Sequence, residues 1–187
     1  MKLEEAKEIV KDILPEKRYI HTLGVIDTAI KLANTHDENA DKAALAAALH
    51  DMAKFHDKQE MKEIILSRHL NPELLNFHHE LWHAPVGAVL AEEQHGVADE
   101  DILNAIRYHT TGRPGMSKLE KIIYIADYIE PGRTFSGVEN VRETAGQNLD
   151  QAMKIALKQS ILFLISKSQP VFPDTLATYN EYMQKEK

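Results

Sequence analysis

The sequence contains no cysteine, so disulfide bonds and thiolate metal sites are both excluded. It also lacks any apolar run near the ~20 residues that a transmembrane helix needs, and its start, MKLEEAKEIV, lacks the apolar core of a signal peptide. The net charge of −7 argues against a protein that coats nucleic acid, because such binding depends on neutralising phosphates. We therefore expect a cytoplasmic protein that binds neither membrane nor nucleic acid.

Alternation of polar and apolar residues, which indicates a β-strand, is missing over any useful length, whereas helical periodicity runs along nearly the whole chain. The pattern predicts helices over 3–14, 16–36, 60–70, 84–96, 99–112, 117–132 and 148–168, and another that carries the apolar run 43–49. Asp41 is a candidate N-cap of that last helix, and Ser117 with Glu120 forms a capping-box pattern. The sequence thus predicts an all-α chain with a single domain over residues 1–187.

Three His-Asp dipeptides occur, and their surroundings separate them. Those at 36–37 and 56–57 lie in polar stretches, which is typical of solvated loop residues. His50 and Asp51 instead follow the uninterrupted apolar run AALAAAL at 43–49, at the end of a helix that must be buried. A buried ionisable pair is costly unless it is hydrogen-bonded, paired or bound to a metal.

Other polar side chains interrupt apolar helices in the same way: His21, His83, His109 and Asp127. Each of them alone is most simply explained as a hydrogen-bonded buried group. Together with the dipeptide, however, they lie on five predicted helices that must share one core. Converging imidazole and carboxylate groups form a site for a divalent metal such as iron, manganese or zinc, whereas the absence of sulfur disfavours cuprous copper.

The order of these residues resembles that of the HD-domain phosphohydrolases. Five segments, at consistent spacing over about 18–175, closely resemble the bacterial YqeK family: HTLGV, LHDMAK, HAPVGAVLAEE, AIRYHTTGRPGMS and KIIYIADYIEPGR. Members of that family are symmetrical diadenosine tetraphosphate hydrolases built on a helical HD domain. The resemblance implies a metal-dependent enzyme that cuts this dinucleotide at its central anhydride and releases two ADP molecules.

The same resemblance implies roles for individual residues. It implies that the metal is iron and that its primary ligands are His21, His50, Asp51 and Asp127. His83 and His109 would either hold a second metal ion, with Asp51 bridging, or contact the substrate phosphates. The residues expected to act in catalysis are Asp51, Lys54, His83 and His109. The residues expected to bind nucleotide are Arg18, His21, Lys54, His83, His109, Thr110, Arg133, Pro170, Phe172 and Thr175.

Two of these residues have a plain structural alternative. Lys54 lies one helical turn beyond the His-Asp dipeptide, and it is either an exposed helix lysine or an ammonium group directed at a phosphate. Phe172 lies between two prolines in the segment QPVFPDT (169–175), and it either stacks on a base or fills the core at a turn.

The implied chemistry needs no nucleophilic serine or cysteine. A bound ion would lower the pKa of a water molecule to about 7 and so supply hydroxide for attack on phosphorus, while His83 or His109 would move a proton.

The alternatives to this function are hydrolysis of another nucleotide (a guanosine alarmone or a deoxynucleotide), a two-iron oxygenase acting on polyols, and a catalytically silent nucleotide sensor. The predicted partner is a dinucleoside polyphosphate or other nucleotide. The late segment QSILFLISKS (159–168) either packs internally or forms a homodimer interface.

Overall fold

The computed structural model describes residues 1–184, which contain α-helices and two short 3-10 helices but no strand. The α-helices are α1 (Leu3–Ile13), α2 (Glu16–Thr35), α3 (Ala40–Leu49), α4 (Lys58–Ser67), α5 (His83–His95), α6 (Glu100–Tyr108), α7 (Lys118–Ile129), α8 (Val138–Ala145), α9 (Leu149–Ser166) and α10 (Pro173–Gln184). The 3-10 helices span Pro72–Asn76 and His79–Leu81. The predicted all-α fold is confirmed. The single domain over 1–187 stays a prediction, and its last three residues lie outside the described part.

Helix α3 lies at the centre of the bundle, where it contacts α1, α2, α6 and α7. Its apolar residues are buried on all sides: Ala43, Ala44, Ala46, Ala47, Ala48 and Leu49. A helix that is apolar all round is expected to be buried, and methyl side chains allow the neighbouring helices to pack close to its backbone. The helix therefore delivers the two residues that follow it, His50 and Asp51, to the middle of the molecule, where both are fully buried.

The start of α3 differs from the prediction, because the cap is Asn39 rather than Asp41. The Asn39 side chain accepts a hydrogen bond from Lys42 N at 2.9 Å. The helix begins at Ala40, so Asp41 is the second residue of its first turn and lies beyond the capping position.

Half of the predicted capping box at α7 is present. The Ser117 hydroxyl accepts a hydrogen bond from Glu120 N at 3.2 Å. The Glu120 carboxylate does not accept the second hydrogen bond of the capping box, from Ser117 N, because it accepts two hydrogen bonds from the Arg113 guanidinium, at 2.9 and 2.6 Å. A bidentate charged pair is stronger than one neutral bond to the backbone.

The structure contains two helices that the periodicity did not predict, α8 and α10. Helix α8 has only eight residues, VENVRETA, of which Val138, Val141 and Ala145 are buried, and it packs on α7 and α9. The Arg142 guanidinium anchors it by donating to the carbonyl oxygens of Ile129, Glu130 and Arg133. Helix α10 begins at Pro173, inside the segment expected to be a loop, and proline is well suited to a first helical position.

The dipeptide at 36–37 is less solvated than predicted. His36 is half-buried at the end of α2, and its Nε2 bonds to the Ala145 carbonyl oxygen at 2.6 Å. In the dipeptide at 56–57, the Asp57 side chain caps α4 by accepting from Gln59 N at 2.8 Å. Hydrogen bonds explain both dipeptides, that of His36 to a residue distant in the sequence and that of Asp57 within its own helix, and neither dipeptide reaches the buried centre that His50 and Asp51 occupy.

Within residues 1–184, no helix combines the length and the apolar character that crossing a membrane would require. On α9, Leu162, Phe163 and Ile165 are exposed. The segment 159–168 therefore does not pack wholly inside the chain, and the homodimer stays a prediction.

We expect Asn39→Ala to lower the free energy of unfolding by about 1 kcal/mol, because the first turn of α3 loses a side-chain acceptor. Asp41→Ala is the matched control, and its loss of a favourable charge near the helix start is expected to cost only about 0.3 kcal/mol. Urea unfolding followed by circular dichroism measures both. Equal losses in the two variants would contradict the placement of the cap.

Candidate metal centre

Side chains from five parts of the bundle meet at the end of α3. His21 comes from α2, His50 and Asp51 follow α3, His83 begins α5, His109 follows α6, and Asp127 lies in α7. These six residues are the cluster discussed below. Four are almost completely buried, and the side chains of His21 and Asp127 are 10% and 19% exposed. The convergence predicted from the scattered polar residues is therefore present in the folded chain.

The Asp51 carboxylate divides the cluster into two halves. Its Oδ2 lies 2.9 Å from His50 Nε2 and 3.7 Å from His21 Nε2. Its Oδ1 lies 3.0 Å from His83 Nε2 and 3.9 Å from His109 Nε2. Each oxygen thus faces its own pair of imidazoles, an arrangement in which one carboxylate can serve two neighbouring cation positions.

Backbone carbonyl groups fix the tautomers of two of the histidines. His50 Nδ1 lies 2.6 Å from the Ala47 oxygen, and His109 Nδ1 lies 2.8 Å from the Ile106 oxygen. A carbonyl oxygen only accepts, so in both residues Nδ1 carries the hydrogen. In the neutral ring, Nε2 then presents a lone pair to the cluster, which is the orientation of a metal-binding imidazole.

Several atoms of the cluster lack the hydrogen bonds that buried polar atoms normally make. Within residues 1–184, His21 Nε2, His50 Nε2 and both Asp51 carboxylate oxygens have no hydrogen-bond partner with suitable geometry. His21 Nε2 nevertheless lies 3.0 Å from Asp127 Oδ1. Electron-rich atoms held this close together are stabilised by a shared cation, and nitrogen with carboxylate oxygen is a donor set that divalent metals accept.

Two overlapping sets of three residues bring one ligand atom each within 4.8 Å of one another: His21, His50 and Asp127, and then His50, Asp51 and His109. The structure thus contains a possible His/Asp metal site. The residues present fit a divalent cation in their chemistry, spacing and burial.

The electrostatics of the site keep its carboxylate charged and two of its imidazoles neutral. Burial alone would raise the pKa of Asp51, but the charge of His50 and the close approach of the His50 and His83 rings outweigh it, so that pKa lies well below its ordinary value. Burial, helped by the neighbouring histidines, lowers the pKa of His109 to about 3 and also lowers the pKa of His83. At neutral pH both rings are therefore neutral and able to bind a cation.

His83 differs from the other histidines of the cluster. Its Nε2 lies 3.1 Å from His109 Nε2, whereas its Nδ1 is buried without a hydrogen-bond partner among the described residues. Unlike His50 and His109, it has no backbone carbonyl of residues 1–184 bound to its Nδ1. The two roles predicted for His83 and His109, binding a second ion or contacting phosphate, both stay predictions.

The basic residues predicted to bind phosphate occupy two kinds of position. Arg18 forms an ion pair with Asp51, and Arg133 donates to Asp127 Oδ1 at 2.6 Å, so both guanidinium groups lie against the cluster. Lys54 instead forms an ion pair with Glu80 at 2.5 Å, which holds its ammonium group at the rim. It lies in a series of turns after α3 rather than on a continued helix.

Four of the residues predicted to bind nucleotide share one cavity of about 470 Å³. It is lined by Thr110, Pro170, Phe172 and Thr175, and we call it the Thr110 cavity. Thr110 Oγ1 is buried without a hydrogen-bond partner within residues 1–184. Phe172 is only 3% exposed and packs edge-to-face on Phe77, so most of its ring belongs to the core.

Glu130 is a residue of the site that sequence reasoning missed. Its Oε1 lies 3.0 Å from His21 Nδ1, and its Oε2 accepts from Gly132 N at 2.6 Å. A Cβ at Gly24 would lie 2.8 Å from the carboxylate, and one at Gly132 would lie 2.9 Å from it, so both positions need glycine. Because the carboxylate accepts a hydrogen bond from Nδ1, it directs the Nε2 lone pair of His21 toward the cluster.

A signal for Glu130 was nevertheless present. The residue stands at the C-terminal end of an apolar helix, directly before Pro131. An acidic group there opposes the helix macrodipole and is unfavourable unless a partner compensates.

Comparison with known proteins agrees with this geometry. Residues 18–132 match the model of the HD domain, a range that carries all six residues of the cluster. The chain therefore belongs to the HD-domain family. Its sequence is 56% identical to a Bacillus subtilis protein named symmetrical bis(5′-nucleosyl)-tetraphosphatase, over 96% of this chain and 97% of that protein. The predicted membership of the YqeK family is confirmed.

Two further similarities extend over nearly the whole chain. A protein of the same name from Halalkalibacterium halodurans is 51% identical over 98% of each chain. A crystal structure from Clostridium acetobutylicum, described as a predicted HD superfamily hydrolase involved in NAD metabolism, is 40% identical with a TM-score of 0.94. That similarity covers 99% of this chain and 98% of the other.

We expect Glu130→Gln to weaken the binding of a divalent ion by roughly tenfold to a hundredfold, because a neutral amide orients His21 less firmly. Elemental analysis after dialysis and competition with a chelator measure this loss without reference to activity. Glu93→Gln is the matched control, since the Glu93 carboxylate pairs with Arg68 on the surface. Equal metal retention in the two variants would refute the orienting role.

Proposed function

We propose that this chain is a metal-dependent hydrolase that cleaves diadenosine tetraphosphate symmetrically into two ADP molecules. The observation that carries the proposal is the cluster around Asp51, in a chain 56% identical over nearly its full length to a symmetrical tetraphosphatase. We infer that His21, His50, Asp51 and Asp127 are the primary metal ligands. His83 and His109 either complete a second metal position or contact phosphate.

The charges at the cluster suit a polyphosphate. Arg18 and Arg133 lie directly against it, and their side chains are partly exposed, so a ligand from solvent can reach both guanidinium groups. A guanidinium group donates two parallel hydrogen bonds to phosphate oxygens, a geometry that an uncharged polyol does not match. Lys54 pairs with Glu80 and would exchange that carboxylate for an incoming phosphate. These cations favour a nucleotide substrate over the polyol of an oxygenase.

We propose iron as the resident metal, and the same donors would also accept manganese or zinc. When bound, a divalent ion would acidify water and neutralise charge on the phosphoryl oxygens. The cytoplasmic location stays a prediction.

The chain's own residues supply the remaining parts of the reaction. Water attacks a phosphorus of the central anhydride, the bond from that phosphorus to the bridging oxygen breaks, and the two halves leave as ADP. The water must lose a proton, and the neutral ring of His83, whose Nδ1 has no hydrogen-bond partner among the described residues, is suited to accept it. The Thr110 hydroxyl, which has no partner among the described residues, is available to a phosphate or ribose oxygen. Arg18 and Arg133 stabilise the charge on the phosphates.

Chromatography of the products tests the position of the cut. With diadenosine tetraphosphate as substrate, we expect ADP as the sole nucleotide product, since attack at the central anhydride yields two identical halves. Reaction in ¹⁸O-labelled water should place one label in one of the two ADP molecules. Formation of AMP and ATP would mean an asymmetric cut and would refute the proposal.

We expect Asp51→Asn to abolish metal retention and to lower turnover by at least about a hundredfold, because the carboxylate that both halves of the cluster share is lost. Helicity by circular dichroism should stay close to that of the unaltered protein. Asp27→Asn, at an exposed position on α2, is the control. Elemental analysis of both variants gives the number of metal ions per chain, and full activity in Asp51→Asn would contradict the ligand assignment.

A further inference from the structure

A second cavity, of about 640 Å³, borders the cluster on the side of α2. We call it the Phe55 groove, and its main lining residues are Arg18, Ile20, His21, Phe55, Pro131 and Arg133. Three of these, Arg18, His21 and Arg133, also contact carboxylates of the cluster. A ligand in the groove therefore reaches the site of the reaction directly.

The Phe55 groove and the Thr110 cavity approach different halves of the Asp51 carboxylate. Arg18 and His21, which line the groove, face Oδ2. Thr110, which lines the other cavity, directly follows His109, whose Nε2 faces Oδ1. The groove thus lies on the Oδ2 side of the carboxylate, and the Thr110 cavity is linked to the Oδ1 side through His109, the neighbour of Thr110 in the chain.

The Phe55 groove combines flat apolar surface with positive charge. Ile20 is 61% exposed and Phe55 is 58% exposed, and both border the same space as Arg18 and Arg133. Single exposed apolar residues are ordinary on protein surfaces. An aromatic ring beside guanidinium groups is, however, the combination that binds a base by stacking and its phosphates by charge.

We propose that the Phe55 groove binds the second nucleoside diphosphate half of the substrate, while the Thr110 cavity binds the first. This inference rests on the proposed function, because a symmetrical cut places the reacting phosphorus between two identical halves. Each half then needs a place beside the cluster. Arg18 and Arg133 bind the phosphates of the second half, and Phe55 with Ile20 contacts its base.

The test compares two substrates that differ in one nucleoside: diadenosine tetraphosphate and adenosine 5′-tetraphosphate. In Phe55→Ala, we expect the ratio of the KM for the dinucleotide to the KM for the mononucleotide to rise roughly tenfold, the effect of losing one base stack. Ile20→Ser should raise the same ratio by a smaller factor. Phe163→Ala is the matched control, because Phe163 is equally exposed but borders the Thr110 cavity. It should change both KM values together and leave the ratio unaltered.

Thermal unfolding of each variant shows that it is folded before its kinetics are compared. An unchanged ratio in Phe55→Ala would overturn the inference, and so would a ratio that rises equally in Phe163→Ala. The failure of the proposed function is a separate result, since it appears as AMP and ATP, or as no cleavage at all, with the unaltered enzyme.

Discussion

The burial of one carboxylate, that of Asp51, is the constraint on which the rest of the structure depends. A fully buried negative charge is tolerated only where cationic or metal partners surround it. The fold supplies them by bringing four imidazoles and the Arg18 guanidinium to its two oxygens. Helices α2, α5, α6 and α7 all contribute residues at this point, so the packing of the bundle around α3 also sets the positions of the side chains around Asp51.

The end of α7 concentrates several functions in a short segment. Asp127, Glu130 and Arg133 follow one another at intervals of three residues, close to one helical turn. Asp127 belongs to the cluster, and Glu130 orients His21. Arg133 binds Asp127 and lines the Phe55 groove. Arg142 holds the carbonyl groups of the same segment, which explains why the short helix α8 packs there.

The sequence predicted the buried centre well, because an ionisable residue in an apolar helix is conspicuous. His50, Asp51 and Asp127 stand out for this reason, and the fold brings them together as expected. Glu130 was missed because an acidic residue before a proline resembles a surface helix end until its distant partner is known. Contacts between residues far apart in the sequence, such as that of Glu130 with His21, leave no local periodicity, and the same holds for the tertiary packing that stabilises α8.

The alanine-rich composition of α3 has a consequence for variation among related chains. The neighbouring helices pack closely around these buried methyl groups, so a larger side chain in this helix has no free space to enter and must displace a neighbouring backbone. Such a displacement would move His50 and Asp51 themselves. The lining of the two flanking spaces carries no such restriction, since Ile20, Phe55 and Phe163 are largely exposed. Substrate preference can therefore diverge through these outer residues while the central helix stays the same.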